Sequence, residues 1–269
     1  GDKRFAGDDK PVQLQGNWLH GAPASGLKAR VTATFTRSNA EFNGFTKYTF
    51  NDLRSDLSTE ETPLFDGTLD ANGHASFPFK LSWNGGAPSA VRANIVTRIF
   101  EAGGDASMDR TDLLYYPYTS YAGLLAATPT TDWGGYYTDT TYSFAAVAVK
   151  PDGKPIAGHA LKVQVVKLGS NWWWSGDMDE PSNYMSAPST RVLKEEDITT
   201  DAQGKARFNF RVDRPLWGSF IVRLSDPASG HVAAGQVYVD WPGFGGRSRR
   251  EDGKAAAMLS FNTDKAKYT

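Results

Sequence analysis

The chain contains no cysteine, which removes disulfides, thiolate-held zinc and a thiol nucleophile from these 269 residues. It also has no run approaching the ~18 apolar residues of a helical membrane span. The first residues, Gly1-Asp2-Lys3-Arg4, lack the basic-then-apolar order of a signal peptide, so the segment is expected to be cut from a larger exported protein. Charge of one sign is missing as well. With 29 basic and 30 acidic residues interspersed, no long-range field gathers nucleic acid or anionic lipid, and neither is an expected partner. There is no H-E-x-x-H, phosphate loop, dinucleotide fingerprint or G-x-S-x-G elbow. His20, His74, His159 and His231 stand singly, with no pair at ligand spacing, so no metal centre is expected. The acidic run Asp177-Met178-Asp179-Glu180 lacks the glycine and distal glutamate of a calcium loop and reads as solvated surface. Catalytic residues and cofactors are expected to be absent, leaving a non-enzymatic chain.

What remains is a composition made for strands. Aromatic residues make up 13% of the chain, and short runs of Val, Thr, Tyr and Phe are separated by 27 glycines and 14 prolines. No stretch keeps a helical period over ten positions; the nearest candidate, 193–197, is too short to alter the class.

The chain also repeats itself. Gly21-Ala22-Pro23-Ala24-Ser25-Gly26, followed by an apolar run through Val31, returns as Gly153-Lys154-Pro155-Ile156-Ala157-Gly158 with its run through Val163. Asp70-Ala71-Asn72-Gly73-His74-Ala75-Ser76-Phe77 returns as Asp201-Ala202-Gln203-Gly204-Lys205-Ala206-Arg207-Phe208. Gly153 follows Gly21 by 132 residues and Asp201 follows Asp70 by 131, so one supersecondary plan is used twice. In G-x-P-x-x-G the proline presets φ and the glycines permit positive φ, which suits a connector between strands. In D-A-x-G, aspartate closes a turn on backbone N–H groups and glycine takes the left-handed position, which predicts a tight hairpin. Residues 160–167 alternate apolar and polar, and further strands are expected at 142–150, 220–224 and 232–239, with Phe208 and Phe210 turned to the core. The pattern predicts an all-β chain of two tandem antiparallel sandwiches of the immunoglobulin or fibronectin-III kind. The first covers 1–117 and the second 118–242, jointed near Tyr115-Tyr116-Pro117; residues 243–269 are a linker plus the first strand of a further domain.

Two local features are candidate sites. Trp172-Trp173-Trp174 alternates along an extended chain, so an indole outside the core would form an interaction loop against another domain. Arg247, Arg249 and Arg250, in a glycine-rich stretch, form a linker sensitive to trypsin-like proteases.

The tandem of sandwiches with the G-x-P-x-x-G turn and the D-A-x-G turn resembles the macroglobulin-like domains of bacterial alpha-2-macroglobulins, as does the ending Asp264-Lys265-Ala266-Lys267-Tyr268. The resemblance implies structural domains of a periplasmic, envelope-anchored protease trap that serves evasion of host defence. It implies endopeptidases as targets through the full-length protein, with other domains of the same chain and envelope proteins as further partners. In many members a thioester built from a C-x-E-Q motif attaches the protease, and without cysteine that chemistry does not reside in these residues. A stalk or a carbohydrate- or protein-binding module of an exported adhesin fits the repeat equally well.

Overall fold

In the computed structural model, the structure describes residues 2–8, 10–53, 57, 60–79, 87–101, 103–132, 134–168 and 191–243. Among them there is no helix; all regular structure is strand. The first sandwich comprises β1 (Asp2–Phe5), β2 (Val12–Gln15), β3 (Lys28–Ser38), β4 (Thr62–Thr68), β5 (His74–Phe77), β6 (Ala90–Phe100) and β7 (Ala106–Tyr116). The second comprises β8 (Tyr121–Leu125), β9 (Tyr136–Tyr137), β10 (Tyr142–Val149), β11 (Ala160–Lys167), β12 (Arg191–Thr199), β13 (Lys205–Phe210), β14 (Gly218–Ser225) and β15 (Val232–Asp240).

Both sandwiches carry a five-stranded sheet of the same order, β1-β7-β6-β3-β4 in one and β9-β15-β14-β11-β12 in the other. In these sheets β1 runs parallel to β7 and β9 runs parallel to β15, and the other pairings are antiparallel. The facing sheets differ: β2-β5 has two strands, whereas β13-β10-β8 has three. Residues 193–197, the weak helical candidate, lie inside β12, where pairing with β11 overrides any local helical preference.

The repeated motifs interlock. Asp70 Oδ1 accepts the N–H groups of Asn72 and His74, each at 2.8 Å, and Asp201 Oδ1 accepts those of Gln203 and Lys205 at 2.8 and 2.9 Å. These charge-assisted bonds hold both carboxyls; at Asp70 they keep the pKa below the usual carboxylate range. Gly73 and Gly204 take φ of 76° and 71°. Their carbonyls accept N–H bonds from Gly16 and Ala148, just ahead of each G-x-P-x-x-G turn. In return, the second glycine of that turn donates to the residue preceding the aspartate: Gly26 to Leu69 at 3.1 Å, Gly158 to Thr200 at 3.0 Å.

This corrects the expected hairpin. The turn is tight, but β4 and β5 belong to different sheets, as do β12 and β13. The bonds to the other connector draw β5 and β13 away from their chain neighbours and onto the facing layer, so D-A-x-G is a corner between layers.

The second core is filled by rings on alternate positions of its strands. Phe144 stacks on Phe210 at 5.0 Å, and Tyr136 meets Tyr142 edge-on at 4.8 Å. Phe208 and Phe210 are buried as expected. A methyl group on Gly204 would stand 2.6 Å from Pro155 Cβ and 2.9 Å from Ile156 N, and one on Gly73 would stand 2.4 Å from the Gly16 carbonyl. Gly204→Ala and Gly73→Ala are therefore each expected to lower stability by about 2–4 kcal/mol through left-handed strain and overpacking. Urea denaturation checks this; a loss under about 0.5 kcal/mol, the range of an indifferent surface change, would show the interlock to be dispensable.

Candidate functional site at the joint of the two sandwiches

The sandwiches are not strung on a loose linker. After β7 the chain continues through Pro117 and Tyr118 to Ser120, and every tyrosine here is buried: Tyr115, Tyr116, Tyr118 and Tyr121. The Tyr118 hydroxyl donates to the Ala87 carbonyl of the first sandwich, and the Tyr118 N–H donates to the Tyr121 hydroxyl at 3.3 Å. With the Tyr121 ring fully enclosed, burial pushes its hydroxyl pKa well above the ordinary value.

The long connection from β3 to β4 reaches across to the second sandwich. Thr49 and Leu124 exchange two backbone hydrogen bonds, of 2.8 and 2.9 Å, so this segment extends the β13-β10-β8 sheet by a short bridge. Two residues on, the Asn51 carbonyl accepts the N–H of Ala234 in β15 at 2.9 Å. The segment thus lies between β8 and β15 and ties both layers of the second sandwich to the first. Beyond it, Leu53 packs on Leu168, Ile221 and Ala234 on the outer face of the large sheet.

Phe50 is the apolar anchor. Its ring meets Phe42 edge-on at 4.7 Å, and Phe42 lies 5.3 Å from Tyr121. Val147 and Val149 of β10 belong to this same cluster, while Phe144, Ala146 and Ala148 of the same strand face the second core. Alternation therefore sends one side of β10 into its own sandwich and the other into the joint. Gly123 permits the approach, since a Cβ there would lie 2.5 Å from the Phe50 ring and 2.7 Å from Val147.

The polar centre of the joint is the turn between β14 and β15, Asp226-Pro227-Ala228-Ser229-Gly230-His231. His231 is wholly buried, its Nδ1 accepting the N–H of Ala122 at 3.0 Å. The ring proton therefore sits on Nε2, which donates to the Phe50 carbonyl at 2.9 Å. That carbonyl also accepts from Ser89 Oγ at 2.7 Å. Tyr118 and Tyr121 enclose the imidazole, with ring centroids at 4.9 and 4.6 Å. Burial pushes the His231 pKa down to about 4; the Phe50 carbonyl and the carboxylates of Asp226 and Asp52 offset only part of this.

Asp226, also fully buried, accepts from Ser120 Oγ, and its Oδ2 lies 2.9 Å from His159 Nε2. Its Oδ1 accepts the N–H of Ala228 at 2.9 Å, while Ser229 Oγ donates to the Ser120 carbonyl at 2.8 Å. Burial alone would raise the Asp226 pKa. The Ser120 hydrogen bond and the His159 contact outweigh it and bring the pKa below the ordinary value. His231 and His159 thus have structural partners in this turn network.

Of the residues singled out in the sequence, Trp172, Trp173 and Trp174 lie outside the described residues, as do Arg247, Arg249 and Arg250 and the acidic run at 177–180. In the sequence the joint is only a boundary near Tyr115-Tyr116-Pro117, and the contacts that build it were not singled out. Two signals pointed to it: the unbroken apolar run 144–149, which marks a strand buried on both faces, and the aromatics Phe42, Phe45 and Phe50 in a connection outside the strand pattern.

Comparison with known proteins fits this architecture. The model of the bacterial alpha-2-macroglobulin MG5 domain matches residues 3–117, and that of bacterial macroglobulin domain 6 matches residues 126–241. No curated protein matches the sequence. Trypsin-activated alpha-2-macroglobulin from Escherichia coli is similar in structure, with TM-score 0.57 and 15% identity over 91% of this chain and 16% of that one. The native conformation of the E. coli protein gives TM-score 0.53 and 17% identity over 89% of this chain and 16% of that one. Salmonella alpha-2-macroglobulin reacted with methylamine gives 0.51 and 17% over 88% and 16%. At such identities the likeness is one of fold, and the chain spans 16% of the length of these relatives.

Two outcomes follow from the joint. The unfolded chain protonates a histidine near pH 6.5 but folded His231 only near 4, so the unfolded state binds more protons between these values. Stability should decline as the pH falls from 7 to 4 by about 3 kcal/mol from this group, and His231→Gln should flatten that part of the profile. Denaturant titrations at pH 7, 5.5 and 4 measure it; a variant as steep as the parent would contradict the assignment. Separately, Gly123→Ala should cost about 1–3 kcal/mol by displacing Phe50 or Val147, read from the urea midpoint.

Proposed function

The chain belongs to the bacterial alpha-2-macroglobulins, as a tandem of their macroglobulin domains 5 and 6, and on that premise we propose that it is a scaffold segment of a protease trap. The observation that carries the reading is the joint. A linker whose tyrosines are buried, a strap bonded to both layers of the second sandwich and a shared aromatic cluster make two domains move as one body. A trap that encloses its target after cleavage elsewhere needs rigid levers, because a displacement at one point is transmitted only through elements that do not bend at their connections.

Proteases as targets are supported by two structures of E. coli alpha-2-macroglobulin, one activated by trypsin and one by porcine elastase. On this reading the endopeptidase is met by the full-length protein, and the present residues contribute geometry and no catalysis. The protein would work in the periplasm, held at the envelope, where it meets proteases entering from outside.

The test is made on the full-length protein. After incubation with trypsin, residual activity is measured on a small chromogenic peptide and on a large protein substrate. Retained peptide cleavage with at least about tenfold loss of protein cleavage is expected, since enclosure excludes only large substrates. Equal activity on both substrates would contradict the trap.

A further inference from the structure

The second copy of the repeat shows what its first connector turn does, and the first copy carries the same turn without that contact. The two turns superpose bond for bond. Trp18 N–H donates to the Ala22 carbonyl and Gly21 N–H to Trp18, as Lys150 N–H donates to Lys154 and Gly153 N–H to Lys150. Asn17 bridges to Pro23 as Val149 bridges to Pro155. In the second sandwich this turn meets the first at its closing residue: a Cβ on Gly153 would stand 3.7 Å from the Phe42 ring.

In the first sandwich the same tip holds Trp18 and Leu19, where the second has Lys150 and Pro151. Leu19 is 110% exposed and Trp18 38%, two adjacent large apolar side chains in water at one turn. Among the described residues nothing in the first sandwich calls for them, because the second makes the same turn with a lysine and a proline. The neighbouring strand face differs too. Gln15 and Asn17, both exposed, stand where Val147 and Val149 are buried in the joint. The exposed apolar surface at this end of the first sandwich is therefore the turn tip and not the strand face.

We propose that Trp18 and Leu19 form a docking tip for the sandwich domain that precedes this one in the full-length protein. They would insert into an aromatic-lined surface, as the turn of residues 150–153 meets Phe42. The occupant follows from the repeat: the turn at 150–153 contacts the domain immediately before its own, and the same turn 132 residues earlier faces the corresponding side. The relatives are long enough to hold such a neighbour, since this chain matches 16% of their length. The inference rests on family membership and not on the protease-trap reading, and its test reads accessibility alone.

Hydroxyl-radical footprinting with mass spectrometry compares the full-length protein with the 269-residue chain. Trp18 and Leu19 should be oxidised about fivefold or more slowly in the full-length protein, as expected for side chains in a desolvated contact. In full-length Leu19→Glu, Trp18 should return to the fast rate, with faster amide exchange in the domain preceding residue 1. In the 269-residue chain Leu19→Glu should leave the melting temperature within about 1 °C, since the side chain is in solvent. Equal oxidation in the two proteins overturns the proposal. Slowing that grows with protein concentration overturns it in favour of a second copy, and newly exposed amides elsewhere than the preceding domain overturn the choice of partner.

Discussion

A neutral histidine buried between backbone groups of both sandwiches fixes how the two halves of this chain meet. His231 accepts a hydrogen bond from the Ala122 N–H in β8 and donates one to the Phe50 carbonyl in the connection between β3 and β4. Both ring nitrogens are satisfied, so the imidazole stays uncharged inside an aromatic cage where a charge would be costly. Once it is in place, Phe50 has its position, Gly123 must stay bare, and the segment 49–51 falls between β8 and β15. The surface ion pairs make a contrast: Lys162 with Glu195 and Arg30 with Asp66 are close but half exposed, and pairs of that kind contribute little.

The two sandwiches share a plan but not a role in the joint. In each, the corner turn and the connector turn bond reciprocally, which sets the distance between layers without any disulfide. The second sandwich adds β8 and turns β10 into a strand buried on both faces; the counterpart β2 keeps glutamines at its outward positions. The first sandwich gives up the long connection from β3 to β4 to cover its neighbour. A domain that lends one of its connections to close the next one is poorly described as a bead on a string.

Much of this was legible in the sequence, and the reason is periodicity. Strand β11 was read at its observed bounds because its alternation is clean, and the repeated turns were found because Asp, Gly and Pro at fixed spacing leave few backbone choices. The hairpin reading of D-A-x-G went wrong because local turn chemistry is the same whether the strands stay paired or part to different layers; long-range bonds from Gly16 and Ala148 decide it. The contacts that build the joint were missed for a related reason. His231 is a lone histidine in sequence, and its partners Phe50 and Ala122 are 181 and 109 residues away, beyond the reach of any local pattern. The run 144–149 and the aromatics Phe42, Phe45 and Phe50 carried its local traces.

The central claim is that the joint makes one cooperative body of two sandwiches. Differential scanning calorimetry of the chain at pH 7 tests it most directly, because the ratio of calorimetric to van't Hoff enthalpy counts cooperative units. A single transition with a ratio of about 1 is the predicted result. Two separable transitions, or one with a ratio of about 2, would mean that the sandwiches unfold independently and that the joint does not bind them into a lever.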